Sequence, residues 1–212
     1  MTRKLIVELI GTFFLVFTVG QTVVAPGAGT LAPIAIGACL MVMVYAGGHI
    51  SGGMYNPAVS LAVFIRGKMS TLSFIGYVAA QILGGGLAAA ATMYMKQGAV
   101  AAVTPMVISV GPALMAEFLF TFALCYMVLN VATVDSVAGN SYYGLAIGMT
   151  VMTGAFAVGG VSGGAFNPAV AFGITLLHLS AGANLWVLVV GELLGAAVAG
   201  GLFLALNLGD EK

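Results

Sequence analysis

The chain has 212 residues, 61% of them apolar and only 6% charged, and its six Lys and Arg residues balance its six Asp and Glu residues. A soluble domain carries about 25% charged residues, so this composition excludes a soluble fold. The net charge of zero and the lack of a basic run in the sequence argue against nucleic acid as a partner.

The first apolar stretch directly follows Arg3 and Lys4, an arrangement that a secretory signal peptide shares. A permanent span is favoured because Glu8 lies inside the apolar run and the same pattern returns near Glu117. In chain order the sequence predicts six spans, each close to the ~20 residues that a helix needs to cross a bilayer. They cover residues 4–24, 31–48, 70–95, 112–134, 142–158 and 184–208.

Two further apolar segments, residues 56–66 and 167–178, are too short to cross. About ten residues give about 15 Å of helix, half the ~30 Å thickness of the hydrocarbon core. Because lipid does not tolerate exposed non-helical backbone, the chain leading into each half-helix must be buried in protein or line a water-filled cavity. These half-helices therefore indicate a pore or a substrate site.

An internal repeat relates the two halves of the chain. Residues 51–59 match residues 162–170 at seven of nine positions, and at the same offset Gln81 falls on Glu192. The repeat divides a single predicted domain, residues 1–212, into halves of about 1–100 and 108–208. Each half has three spans and one half-helix, and an odd number of spans turns the second copy upside down. We therefore expect the half-helices to enter from opposite sides and to meet, N-terminus to N-terminus, near the midplane.

The positive-inside rule sets the predicted orientation, with both termini in the cytoplasm. Five basic residues fall on that side, and Lys96 alone falls on the other. The five are Arg3, Lys4, Arg66, Lys68 and Lys212.

Both half-helices open with Asn-Pro-Ala: Asn56, Pro57 and Ala58 in the first, Asn167, Pro168 and Ala169 in the second. Asn is a good N-cap and Pro suits the first helical position, so one copy alone would indicate only a helix start. Two copies at equivalent positions of the repeat predict a functional site where the two helix N-termini face each other. Each N-terminus carries about half a positive charge, so two that face each other oppose the passage of cations, hydronium included. Their amide groups can donate to a passing water molecule.

Eight glycines precede the two motifs and are expected to allow an extended chain whose carbonyls face the pore, with simple turns as the alternative. They are Gly47, Gly48, Gly52 and Gly53 in the first half, and Gly159, Gly160, Gly163 and Gly164 in the second.

These residues resemble the aquaporin, or major intrinsic protein, family over nearly the whole chain. Residues 48–59 resemble the first pore loop of the family and residues 166–169 the second. The resemblance implies an all-α integral membrane protein in which six transmembrane helices and two re-entrant half-helices form an inverted repeat and a right-handed bundle. It also implies a homotetramer, and it gives Glu8 and Glu117 the role of holding the pore loops through backbone hydrogen bonds. A position at the membrane interface is the alternative for Glu8.

The resemblance also places the family's outer constriction at four positions, counted from the two asparagines. They are Ile36, twenty residues before Asn56, and Ala155, Gly164 and Val170, which lie twelve before, three before and three after Asn167. Most members carry Arg at the last position, so Val170 is the departure that matters. The implied ring is wide, apolar and uncharged, which favours selection of small neutral molecules by size.

One histidine and two cysteines complete the candidate residues. His49 resembles a histidine at the cytoplasmic pore mouth of the family, and a buried, hydrogen-bonded histidine is the alternative. Cys39 and Cys125 lie alone in apolar stretches, which predicts neither a disulfide nor a metal site. No cofactor and no catalytic group is expected, because two histidines and six acids on separate segments do not assemble an active site.

The sequence thus predicts a passive channel that conducts water and small uncharged solutes, such as glycerol, urea, ammonia or hydrogen peroxide, and excludes ions. We expect it in the plasma (cytoplasmic) membrane, with the lipid bilayer, its solutes and further copies of itself as partners. A coupled secondary transporter is one alternative, because such proteins also use inverted repeats and broken helices. A non-conducting structural membrane protein is the other.

Overall fold

A computed structural model describes residues 1–206, and the secondary structure of this part of the chain is almost entirely helical. Six helices are long and apolar enough to cross a membrane, and two more have nine residues each. In chain order the helices are α1 Thr2–Val23, α2 Ala32–Ser51, α3 Pro57–Ile65, α4 Thr71–Met95, α5 Gln97–Ala101, α6 Val110–Thr133, α7 Tyr143–Ser162, α8 Pro168–Leu176 and α9 Leu185–Ala205. The predicted end of the last span at Leu208 and the charge of Lys212 lie outside the described residues.

The six predicted spans and the two half-helices are confirmed, but the second and fifth spans end later than predicted. Helix α2 continues to Ser51 and α7 to Ser162. Gly47 and Gly48 are therefore helical, as are Gly159 and Gly160, and the expectation that these four glycines lie in extended chain is wrong. In lipid every backbone N–H and C=O group needs a partner, which the helix supplies, so glycine ends a helix there less readily than in water.

Helix packing repeats between the two halves, as an inverted repeat requires. Helix α1 packs on α4 and α2 just as α6 packs on α9 and α7. Each half-helix packs mainly on a long helix of the other half: α3 lies against α9, and α8 lies against α4. The fold predicted from the repeat is thus confirmed, with two interlocked halves.

Helices α2 and α7 cross on the axis that relates the halves. Gly37 and Gly148 occupy equivalent positions in the two repeats and face each other there. A Cβ atom built on Gly37 would lie 2.7 Å from the carbonyl oxygen of Gly148, closer than a Cβ atom can pack. Small residues let helix backbones approach this closely in lipid, where van der Waals packing contributes to helix association.

Candidate functional site

The two segments that lead into the half-helices share one backbone conformation, in which two glycines and one aromatic residue have positive φ. The values are 95°, 62° and 50° at Gly52, Gly53 and Tyr55, and 98°, 64° and 49° at Gly163, Gly164 and Phe166. Glycine adopts this region readily. A residue with a Cβ atom is disfavoured there by about 1–2 kcal/mol, so the contacts around each aromatic residue must hold it in place.

Glu8 of α1 holds the first of these segments. It is fully buried and accepts hydrogen bonds on both oxygens. Oε1 accepts from Ser51 Oγ at 2.6 Å and from the Met54 N–H at 3.1 Å, and Oε2 accepts from the Tyr55 N–H at 2.7 Å and from Gln81 Nε2 at 2.8 Å. Glu8 therefore does not lie at an interface, and its bond to Tyr55 holds the residue whose φ is unfavourable.

Glu117 of α6 makes the same contacts in the second half. Its Oε1 accepts from Ser162 Oγ at 2.6 Å and from the Ala165 N–H at 3.1 Å, and its Oε2 accepts from the Phe166 N–H at 2.7 Å. Glu192 lies beside it, at the repeat position that Gln81 has in the first half. The two segments that lead into the half-helices are thus held by equivalent hydrogen bonds to a buried glutamate. The two halves differ in having Gln81 or Glu192 beside that glutamate.

Glu192 of α9 also contacts the second Asn-Pro-Ala motif directly. Its Oε1 accepts from the backbone N–H of Asn167 at 3.0 Å, and its side chain is fully buried. In the described part of the chain, no N–H or hydroxyl group reaches its Oε2. Two carboxyl groups can hydrogen-bond to each other only when one carries a proton, so a protonated Glu192 could donate from Oε2 to Glu117.

The N-termini of the two half-helices meet through reciprocal hydrogen bonds. Asn56 Nδ2 donates to the carbonyl oxygen of Phe166 at 2.8 Å, and Asn167 Nδ2 donates to the carbonyl oxygen of Tyr55 at 2.9 Å. Each Asn Oδ1 accepts from the backbone N–H two residues later, at 2.8 Å and 2.9 Å, and so caps its own helix. An amide group has two N–H donors. One donor of each Asn holds the halves together, and the second remains for a molecule beside it.

A cavity of about 340 Å³ lies beside both asparagines, and all four positions of the predicted ring line it: Ile36, Ala155, Gly164 and Val170. Among the described residues that line it, none is Asp, Glu, Lys, Arg or His. The polar groups that do line it include Thr104, Ser162 and Ser180 beside the two asparagines. The site can therefore offer hydrogen bonds to a neutral molecule but no counter-charge to an ion.

A second cavity, of about 630 Å³, contains the predicted pore-mouth residue. His49 lies in the last turn of α2 and is exposed, so the alternative of a buried histidine is wrong. Lys68 and Asp135 also line this cavity, so charged groups lie at its wall.

Comparison with known proteins identifies the family. The sequence model described as Major intrinsic protein matches residues 1–203. The chain belongs to the major intrinsic protein family. This family is one of channels, not enzymes.

Relatives of this family member include both plant and bacterial proteins. It is 35% identical to Aquaporin NIP1-3 of Oryza sativa subsp. japonica, over 99% of this chain and 75% of the relative. It is also 35% identical to Glycerol uptake facilitator protein-like 6 of Lactiplantibacillus plantarum, over 99% of both chains. Among solved structures, the aquaglyceroporin from Plasmodium falciparum covers 95% of both chains with a TM-score of 0.81 and 20% identity, and this likeness bears on the fold alone.

Several residues of the site were not predicted. Thr104 and Met106, in the connection between α5 and α6, line the 340 Å³ cavity together with Leu179 and Ser180, which follow α8. The Met106 N–H donates to the carbonyl oxygen of Leu179 at 3.1 Å, which joins the two connections. Connecting segments show no helical or strand periodicity, so the sequence of this family member has no signal for these contacts.

Ser51 and Ser162 were also missed, although both lie inside the nine-residue repeat. Each donates its hydroxyl hydrogen to the buried glutamate of its own half. Their recurrence at equivalent positions was the available signal, since a serine that repeats beside a motif is a candidate to support it.

Proposed function

We propose that this chain is a passive transmembrane channel that conducts water and small uncharged solutes and excludes ions. The meeting of the two half-helix N-termini carries the proposal. There Asn56 and Asn167 each use one amide hydrogen to bind the other half and keep one for the pore. Both line the same 340 Å³ cavity, so a water molecule or a solute hydroxyl that passes can accept hydrogen bonds from both.

Ions are excluded by the cost of leaving water. An ion that enters a site of low dielectric without a counter-charge loses hydration, at a cost of several kcal/mol. The described lining of this cavity offers no ionisable side chain, and the two helix N-termini add a positive potential that repels cations. A neutral molecule has no ionic hydration to lose and is not repelled by the positive potential.

Stopped-flow light scattering on proteoliposomes tests the proposal. We expect vesicles that contain the protein to swell and shrink faster than empty vesicles under an osmotic gradient, and to admit at least one of glycerol, urea, ammonia or hydrogen peroxide. Water flux no faster than in empty vesicles would favour a non-conducting structural protein. Water flux without any measurable solute flux would restrict the channel to water.

We propose that Ile36, Ala155, Gly164 and Val170 form a wide outer constriction. Their common lining of one cavity supports this, together with the lack of a side chain on Gly164 and the single methyl group of Ala155. A ring of this kind discriminates by size rather than by charge.

A coupled secondary transporter is the remaining alternative, and the lining of the 340 Å³ cavity counts against it. Coupling to protons or sodium ions needs groups that bind the driving ion near the midplane, and the described lining offers amides, hydroxyls and apolar groups. Solute flux that does not respond to an imposed proton or sodium gradient would exclude this alternative. Uphill accumulation of solute would establish it.

We further propose a homotetramer in the cytoplasmic membrane, with the N-terminus in the cytoplasm. Support for the orientation comes from Arg3, Lys4, Arg66 and Lys68 on one side and Lys96 on the other. The mass of the detergent-solubilised protein, corrected for bound detergent, tests the tetramer. Labelling of single introduced cysteines with a membrane-impermeant reagent tests the orientation.

A further inference from the structure

The two cavities of the site meet at two side chains. The 340 Å³ cavity lies beside the asparagines and the outer ring, and the 630 Å³ cavity lies beside His49 and Lys68. Among the described residues, only Met54 and Val128 line both. Met54 and Val128 therefore lie where the two cavities adjoin.

The two halves of the repeat differ at this place. Met54 has Ala165 as its repeat mate, and Val128 has Val19, at the same offset that relates Glu8 to Glu117. Ala165 and Val19 both line the 340 Å³ cavity only. Val128 and Val19 are the same residue type, so the two halves differ here only in having Met54 or Ala165.

The backbone at Met54 is fixed as firmly as the backbone at its mate. The Met54 N–H donates to Glu8 Oε1 at 3.1 Å, and the Ala165 N–H donates to Glu117 Oε1 at 3.1 Å. Val128 is buried in the wall of α6, with 7% of its surface exposed. With both backbones held in place, the free space at this point depends on the length and rotamer of the Met54 side chain.

We infer that Met54, which lines both cavities together with Val128, is the narrowest point of the path between them and sets the upper size limit for uncharged solutes. The inference rests on the proposed channel function and adds to it a specificity-determining residue outside the predicted ring. Methionine suits the task because its unbranched thioether chain adapts its shape and has no hydrogen-bond donor. A narrow apolar passage of this kind discriminates by size, because it offers a solute little in exchange for lost hydration.

Substitution of Met54 by alanine tests the inference, because it makes the two halves alike at this position. In proteoliposomes we expect Met54→Ala to raise the ratio of glycerol to water permeability at least about fivefold, ~1 kcal/mol in the barrier. Met54→Leu, which nearly conserves side-chain volume, should leave the ratio close to that of the parent. An unchanged ratio in Met54→Ala would overturn the inference.

The converse substitution is Ala165→Met, which places the same side chain at the equivalent position of the other half. It should lower glycerol permeability, because it adds a second narrow point on the other side of the asparagines. If Ala165→Met lowers glycerol passage while Met54→Ala leaves it unchanged, the size limit lies in the 340 Å³ cavity and the inference is wrong.

A chemical test does not depend on small changes in flux. Met54→Cys should become sensitive to a methanethiosulfonate reagent, with loss of most water flux, while the parent, which keeps Cys39 and Cys125, should not. Failure of the reagent to slow flux in Met54→Cys would count against a narrow point at this residue. A parent protein that conducts no water would overturn the proposed channel itself. A parent that conducts water, with unchanged selectivity in Met54→Ala, would overturn only the inference about Met54.

Discussion

Glu192 stands in the second half at the position that Gln81 has in the first half. In the first half, the amide of Gln81 donates to Glu8 at 2.8 Å. In the second half, Glu192 lies beside Glu117 and accepts from the Asn167 N–H at 3.0 Å. A protonated carboxyl group has one donor and one acceptor oxygen, the same pair that an amide presents.

Glu192→Gln should therefore be tolerated. Its Nε2 can donate to Glu117 and its Oε1 can accept from Asn167, without any need for a bound proton. Glu192→Ala should instead leave the buried N–H of Asn167 without its acceptor, at a cost of about 1–3 kcal/mol. Thermal unfolding in detergent, followed by circular dichroism, measures both. A midpoint for Glu192→Gln as low as that of Glu192→Ala would show that the carboxyl group is needed as such.

The outer ring provides a second prediction for a single residue. Val170→Arg should reduce glycerol permeability relative to water about tenfold, ~1.4 kcal/mol, because a long guanidinium side chain would fill part of the cavity that Ile36 and Gly164 also line. Val170→Met, which is long but uncharged, separates length from charge. Solute rates in Val170→Arg equal to those of the parent would place the outer constriction elsewhere.

The sequence predicted those residues of the site that belong to a local motif or match a family position. It did not predict every contact between segments that are far apart in the chain. Asn56 and Asn167 were found from their motifs, and Glu8 and Glu117 from their resemblance to family positions. The offset paired Glu192 with Gln81, but its contact with the Asn167 N–H depends on how the second pore segment folds against α9. No spacing rule predicts a contact between a helix and a non-helical segment.

At the scale of elements, the crossing of α2 and α7 depends on the absence of side chains at two positions. A Cβ atom on Gly148 would meet the carbonyl oxygen of Gly37 and would lie 2.8 Å from the Cβ atom of Met41. Gly160 lies in the same helix, and a Cβ atom there would meet no atom within 4 Å. The two glycines therefore form a matched pair for mutation.

Gly148→Ala should lower the thermal midpoint, because overpacking at a fixed backbone contact costs about 1–3 kcal/mol. Gly160→Ala should leave the midpoint unchanged or raise it, because alanine favours a helix over glycine by about 1 kcal/mol. Both variants gain the same helix propensity, so the difference between their midpoints reports the contact between α2 and α7. Equal midpoints would show that the two helices can separate without loss of stability.

Elements predicted from the length of an apolar segment were correct. Helix ends predicted from residue type were not. Half-helices were predicted because segments of about ten residues cannot cross a bilayer. The ends of α2 and α7 were placed too early, because glycine pairs were interpreted as in a soluble protein. The short helix Gln97–Ala101 was missed, since five residues are too few to show a helical period.

At the scale of the whole molecule, the repeat determines where the functional groups meet. Three spans per half invert the second copy, so the segments that enter from opposite sides must meet at the axis between the halves. Gly37 faces Gly148 on this axis, and Asn56 and Asn167 each donate to the residue that precedes the other. Because each half-helix packs on a long helix of the other half, the conduit cannot form from one half alone.

Ion exclusion is a property of this whole arrangement. The walls come from both halves, the described lining contains no ionisable side chain, and both half-helices direct their positive ends at the centre. A cation inside would lose hydration and meet a positive potential, with no counter-charge to offset either cost. We therefore expect proteoliposomes that conduct water to hold an imposed potassium or proton gradient as long as empty vesicles do.

A charge placed in the cavity should break this exclusion. Val170→Asp adds a carboxylate to the lining, and acidic side chains at a constriction attract cations. Potassium leak in Val170→Asp should therefore exceed that of the parent, whereas Val170→Asn, of the same shape without the charge, should not differ from the parent. Ion-sensitive dyes inside the vesicles give both rates. If the parent itself dissipates either gradient faster than empty vesicles, the helix ends and the uncharged lining are not a sufficient barrier to cations.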